Sequence, residues 1–197
     1  GGGAPLVAIH MGKGEKEEAE KILGSGVTML AIIALIITVV LLFTAEPVLR
    51  LFGASDNTLP YAEDYLKIYV MGTIFVVFSL GLNPFITTQG FSKDAMKTVL
   101  IGAVCNIILD PIFIFGLKMG VSGAALATVI SQAVSAFWVM HFLTGKKIPM
   151  NLNRSNIAIQ KDITKDICKL GAASFIVQGT NCLVQVSSNA TLQIFGG

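Results

Sequence analysis

Apolar residues in this chain come in long blocks, and short polar clusters separate the blocks. Residues 26–45 carry no charge. They are long enough to cross a ~30 Å hydrocarbon layer as a helix, which takes about 20 residues. Their β-branched content would favour strand in water, but length decides for a membrane helix. A second span is expected from about Leu66 to Thr88, with a kink at Pro84, which removes a backbone donor. The stretch Met96–Gln132 reads as two antiparallel apolar helices joined by a turn at Leu117–Gly120. The second of these helices runs from about Val121 to Leu143. A last span begins near Cys168. Residues 1–10 look like the final turns of another membrane helix, rich in small residues that suit close helix approach. The fold class is therefore all-α integral membrane.

The polar segments divide the same way. MGKGEKEEAEKIL, from Met11, reads as a mixed-charge loop with a short helix, supported by Glu17 and Lys21 at i, i+4. Glu46–Ser55 reads as a short interfacial piece with Pro47 near its first turn. Residues 145–165 form a long polar and basic linker.

One acid, Asp110, stands inside an apolar run. A carboxylate at the centre of a membrane helix costs roughly 2.5–3.5 kcal/mol on insertion scales, so Asp110 is a functional candidate by default. Asn106 lies one turn earlier on the same face. Pro111 follows directly and disfavours helical geometry at Asp110, which would free carbonyls as cation ligands. On the next helix Thr128, Ser131, Gln132 and Ser135 form a single polar stripe. Asp110 and Thr128 each lie about nine residues from the turn, so at ~1.5 Å per residue both sit roughly 14 Å deep, near the midplane. An acid, an amide and a hydroxyl that meet there suit a proton or a small cation. Other stripes carry Ser79, Asn83 and Thr87, and Gln178, Asn181, Gln185 and Ser188; the second suits a helix facing a cavity, with interhelical hydrogen bonds as the simpler account.

Composition agrees with this picture. The chain is 53% hydrophobic and 13% charged, whereas soluble domains are about 25% charged. A net charge of +2 and the lack of a basic cluster interleaved with aromatics argue against nucleic acid. Cys105, Cys168 and Cys182 show no metal-ligand spacing and no disulfide framework, and read as apolar thiols. The loops at 11–22, 89–97 and 145–169 hold most of the lysines and arginines, and the alternate loops hold only Arg50, Lys67 and Lys118. The basic set is expected on the cytoplasmic side of the cell membrane. With no initiator Met and an opening Gly-Gly-Gly, the chain reads as an internal piece of a longer protein.

The segment NIILDPIFIFGLKMGVSGAALATVISQ, with GGGAPLVAIHMGKG near the start, resembles the multidrug and toxic compound extrusion (MATE) transporters. The resemblance covers essentially the whole chain, from the end of the second helix into the seventh of a twelve-helix protein. It implies a partial amino-terminal lobe over 1–144, an inter-lobe linker over 145–165 and the start of the carboxy-terminal lobe over 166–197. It also implies an antiporter that exchanges H⁺ or Na⁺ for amphipathic, often cationic, drugs by alternating access. It further implies a full-length protein that works as a monomer, without a cofactor and in contact with membrane lipid. The amino-lobe cation site would use Asn106, Asp110 and Thr128, with a further acid from the family's first helix. Asn83, Ser131, Gln132, Ser135, Gln178 and Asn181 become candidate cavity-lining residues.

Two other classes compete. A flippase for lipid-linked sugar or lipid would share the fold, but a basic cavity would suit an anionic head group, and the span interiors hold almost no Lys or Arg. A membrane-embedded enzyme needs a nucleophile with its base, paired acids or a metal. The spans offer one clear acid, His141 is peripheral at an expected interface, and no HExxH occurs. A channel would need a filter of backbone carbonyls, and no repeated filter-like loop is visible.

Overall fold

The structure is a computed structural model that describes residues 2–145, 148–153 and 156–195, with side chains left aside at 190 and 192–195. The helices are α1 (Gly3–Gly12), α2 (Lys16–Leu51), α3 (Leu59–Met71), α4 (Thr73–Thr88), α5 (Ser92–Pro111), α6 (Gly120–Leu143) and α7 (Lys161–Phe195). A π-helical turn, Ile112–Gly116, continues α5. Among the described residues four helices are long and apolar enough to cross a membrane, or five if α3 and α4 make one bent span.

The span expected at 26–45 is part of a longer helix. The mixed-charge segment before it is not a separate loop helix: α2 starts at Lys16. Its first turns are good helix formers, and Lys21 pairs with Glu18 at 2.8 Å and Glu17 at 3.4 Å. At the other end α2 runs on through the segment expected at the interface. Thr44 leaves helical geometry (φ −118°, ψ 18°) just before Pro47, and its hydroxyl donates to the Val40 carbonyl at 2.8 Å. Proline supplies no N–H and crowds the preceding turn, so the helix bends there.

The second span breaks elsewhere than at Pro84. It bends by 61° between α3 and α4, at Gly72 (φ −91°, ψ 2°). A Cβ on Gly72 would lie 2.6 Å from the Val129 methyls, so α6 approaches this backbone where a side chain would block it. Pro84 sits inside a continuous α4. Asp110 is likewise helical, and the irregularity expected beside it falls just after Pro111, where the Leu117 amide reaches back to the Ile112 carbonyl at 2.9 Å. The hairpin then turns through Lys118 and Gly120, both at positive φ (55° and 57°).

Buried apolar residues cluster at the end of the bundle that carries the basic loops. Leu6 and Val7 of α1, Ile22 and Leu23 of α2, Leu82 and Ile86 of α4, and Val139 and Leu143 of α6 meet there. Elsewhere the bundle is apolar on the outside. Leu35, Ile36, Phe43, Val104, Ile107, Phe137, Phe175 and Leu183 are exposed. In water so much apolar surface would drive aggregation, but hydrocarbon solvates it.

α5 and α6 pack along their length. A Cβ on Gly102 would lie 2.5 Å from Ser135 Oγ, and that hydroxyl donates to the Thr98 carbonyl at 3.1 Å. Gly102→Val should therefore separate the pair and lower the thermal midpoint in detergent, by overpacking worth about 1–3 kcal/mol. Gly12→Ala, where a Cβ meets nothing within 4 Å, should leave it unchanged or raise it. Equal midpoints for both variants would contradict the close α5–α6 contact.

Candidate functional site

The polar stripes read on α4 and α6 meet in one place. A cavity of about 260 Å³ lies between α4, α5 and α6. Its polar wall comprises Ser79 and Asn83 from α4, Thr98 and Asn106 from α5, and Thr128, Ser131, Gln132 and Ser135 from α6. Among the described residues no charged one lines it.

Each hydroxyl in this wall has a defined partner. Ser79 Oγ donates to Gln132 Oε1 at 2.5 Å, which ties α4 to α6. Ser135 Oγ ties α6 to α5 through the Thr98 carbonyl. Ser131 Oγ and Thr128 Oγ1 donate within their own helix, to Ala127 at 2.7 Å and Ala124 at 2.9 Å. A hydroxyl spent as a donor this way keeps oxygen lone pairs for a ligand. Asn83 Oδ1 is different: it is buried and has no hydrogen-bond partner. Leaving an acceptor desolvated and unpaired costs about 1–3 kcal/mol, which favours a site that takes a donor or a cation.

The carboxylate stands at the edge of this cavity. Asn106 Nδ2 donates to Asp110 Oδ1 at 3.2 Å across one helical turn. Asn106 also faces the cavity, whereas Asp110 is outside its lining and half-buried. With the amide nitrogen committed to Asp110, Asn106 Oδ1 is the atom left for a cation. Thr128 makes no hydrogen bond to Asp110; it shares the cavity wall with Asn106. The three oxygens are of the hard type that suits Na⁺ or a proton. No group of three or more His, Cys, Asp or Glu is gathered among the described residues.

The remaining candidates sit apart. Gln178 and Asn181 lie on the exposed part of α7, joined to each other by a 3.2 Å hydrogen bond. Among the described residues α7 packs on α1 and α2, and none of its residues lines the cavity. His141 is exposed near the end of α6. Sequence reasoning did not place Ser79, Thr98 or Gly102 in the site. Thr98, Gly102, Asn106 and Asp110 recur every fourth residue, one face of α5, and that spacing is the signal that was available.

Comparison with known proteins bears on this arrangement. The MatE family model matches residues 1–112. The multidrug export protein MepA of Staphylococcus haemolyticus is 30% identical over 176 residues, covering 89% of this chain and 39% of that protein. MepA of Staphylococcus saprophyticus is 34% identical over 147 residues, covering 74% and 32%. A solved inward-facing conformation of a multidrug resistance MATE family transporter of the MOP superfamily superposes with a TM-score of 0.80 at 26% identity, over 98% of this chain and 42% of that one. The chain thus spans less than half the length of each. With the family match over more than half the chain, and with helices built to cross a bilayer around an inner polar cavity, the chain belongs to the MATE family of multi-pass membrane transporters.

Proposed function

We propose that this chain is part of a cation-coupled antiporter that exports amphipathic or cationic drugs, with Asp110, Asn106 and Thr128 as the cation site and H⁺ or Na⁺ as the coupling ion. The observation that carries the reading is the Asn106–Asp110 pair at the edge of a polar cavity with no charged lining. The relatives named above are multidrug export proteins and a multidrug resistance transporter, which supports drug substrates.

In this reading residues 1–144 belong to the amino-terminal lobe and 166–197 begin the second, joined on the cytoplasmic side. Asp110 alternates between a charged state that attracts a cationic drug and a state neutralised by the coupling ion. Entry of the ion from outside displaces the drug, and the lobes then rock to face inward. Asn83, with its unpaired acceptor, contributes recognition of a drug N–H or of the ion's water. The same-superfamily alternative, flipping of a lipid-linked sugar or lipid, calls for cations around an anionic head group, and the cavity wall has none.

Two variants test this in a full-length transporter containing this sequence. In proteoliposomes, a proton or sodium gradient imposed separately should drive a fluorescent cationic drug in the wild type and not in Asp110→Asn. Undiminished gradient-driven movement in that variant would overturn the assignment. Asn83→Leu should keep or raise the thermal midpoint, because it removes an unpaired buried acceptor, and should weaken drug binding about tenfold, equivalent to ~1.4 kcal/mol. Unchanged binding would remove Asn83 from the site.

A further inference from the structure

We propose that residues 148–153 and 156–158, after α6, form a strap fixed to the α1–α6 bundle, and that it fixes the first turns of α7 as well. Any swing of the second lobe would then be taken up beyond Gly171 rather than in the loop. Read as sequence, 145–165 is a long polar and basic linker. Met150 and Leu152 within it are instead built into the bundle's main core.

Ile148, Met150 and Leu152 alternate inward, and Met150 is fully buried. Met150 and Leu152 belong to the same cluster as Val7, Ile22, Ile86 and Leu143. Three successive amides are held by three different helices or their ends. Met150 N donates to Gln89 Oε1 at 3.1 Å, beside the end of α4. Asn151 N donates to Glu20 Oε1 of α2 at 3.2 Å. Leu152 N donates to the Leu143 carbonyl of α6 at 2.7 Å.

Further along, the strap crosses α2 at a notch made by Gly24 and Ser25. A Cβ on Gly24 would fall 2.0 Å from the Asn156 carbonyl oxygen, so only glycine admits the strap there. Ser25, fully buried, donates through Oγ to the Ala158 carbonyl at 2.9 Å. Two adjacent small residues in an otherwise bulky membrane helix gain a purpose from this crossing, and the third, Gly26, faces Phe85 of α4.

α7 is anchored next. Ile167 is buried in the bundle core, with Ile163 packed against it. A Cβ on Gly2 would lie 2.0 Å from the Ile167 carbonyl oxygen and 2.6 Å from the Gly171 amide, so α1 and α7 touch backbone to backbone. Residues 172–178 are then all exposed, and Gly179 has nothing near its Cβ position. Among the described residues the backbone-to-backbone packing ends at Gly171, and further along Asn189 Nδ2 donates to the Phe52 carbonyl at 3.4 Å, at the far end of α2.

The inference uses the two-lobe reading only to name what swings, and it does not depend on Asp110 as the ion site. It is tested by hydrogen exchange on the full-length transporter, trapped in inward-facing and outward-facing states by cross-links on opposite faces. The amides of Met150, Asn151 and Leu152 should exchange about a hundredfold slower than unpaired loop amides in both states. Exchange at free-peptide rates in either state would overturn the strap. A second arm replaces Cys105, Cys168 and Cys182 by serine and places cysteines at Ser25 and Ala158. The oxidised, cross-linked protein should transport within about twofold of the reduced one. Loss of transport on oxidation, restored by reductant, would show that the strap must lift and would overturn the proposal. If Asp110→Asn leaves coupling intact while these amides stay protected, the ion-site reading fails and the strap stands.

Discussion

A hydrocarbon layer offers no hydrogen bonds, and every polar group inside it must find a partner within the protein or serve a ligand. The rest of this structure depends on that constraint. It makes the backbone helical throughout the described spans, and it leaves bulky apolar side chains outward on α2, α5 and α7. It also gathers the few polar side chains inward. Ser79 with Gln132 and Ser135 with the Thr98 carbonyl bind α4, α5 and α6 to one another. The same contacts that satisfy these groups enclose the cavity.

Two groups in that region are not fully absorbed by structural needs. Asn83 Oδ1 has no partner, and Asp110 has a single amide contact from its own helix. A carboxylate that served only to join helices would be matched by donors from a neighbour, and among the described residues this one is matched locally. Placing it on a regular turn, with the π-helical irregularity just beyond, holds the Asn106–Asp110 pair in register while the turn region stays irregular. In the proposed cation site, that division sets the ligating pair beside a segment of irregular helix.

The spans were legible in the sequence because length and the absence of charge decide membrane crossing with little help from context. Asp110, Asn106 and the Thr128–Ser135 stripe were legible because polar residues are rare against an apolar background. Thr98 and Gly102 share the face of Asn106 but cost little in a membrane helix, so they did not stand out. The break at Gly72 depends on where Val129 of α6 arrives, a tertiary fact, whereas Pro84 advertised itself locally and the helix tolerated it. The stripe Gln178–Asn181 fixes a face of α7 but not its neighbour, and among the described residues α7 meets α1 and α2. The strap was hidden for a related reason. Ile148, Met150 and Leu152 alternate over too few residues to rise above the polar composition around them, and the glycines that receive it lie far away in α2.

The central claim is that Asp110 with Asn106 and Thr128 holds the ion that drug binding expels. The most direct measurement is ion release from a purified full-length transporter on addition of a cationic drug, read with a pH dye in weak buffer or as displaced sodium. The account predicts release of about one ion per drug bound, and none from Asp110→Asn at drug concentrations raised until that variant is saturated. Drug binding by the wild type with no ion released at any pH or sodium concentration would contradict it.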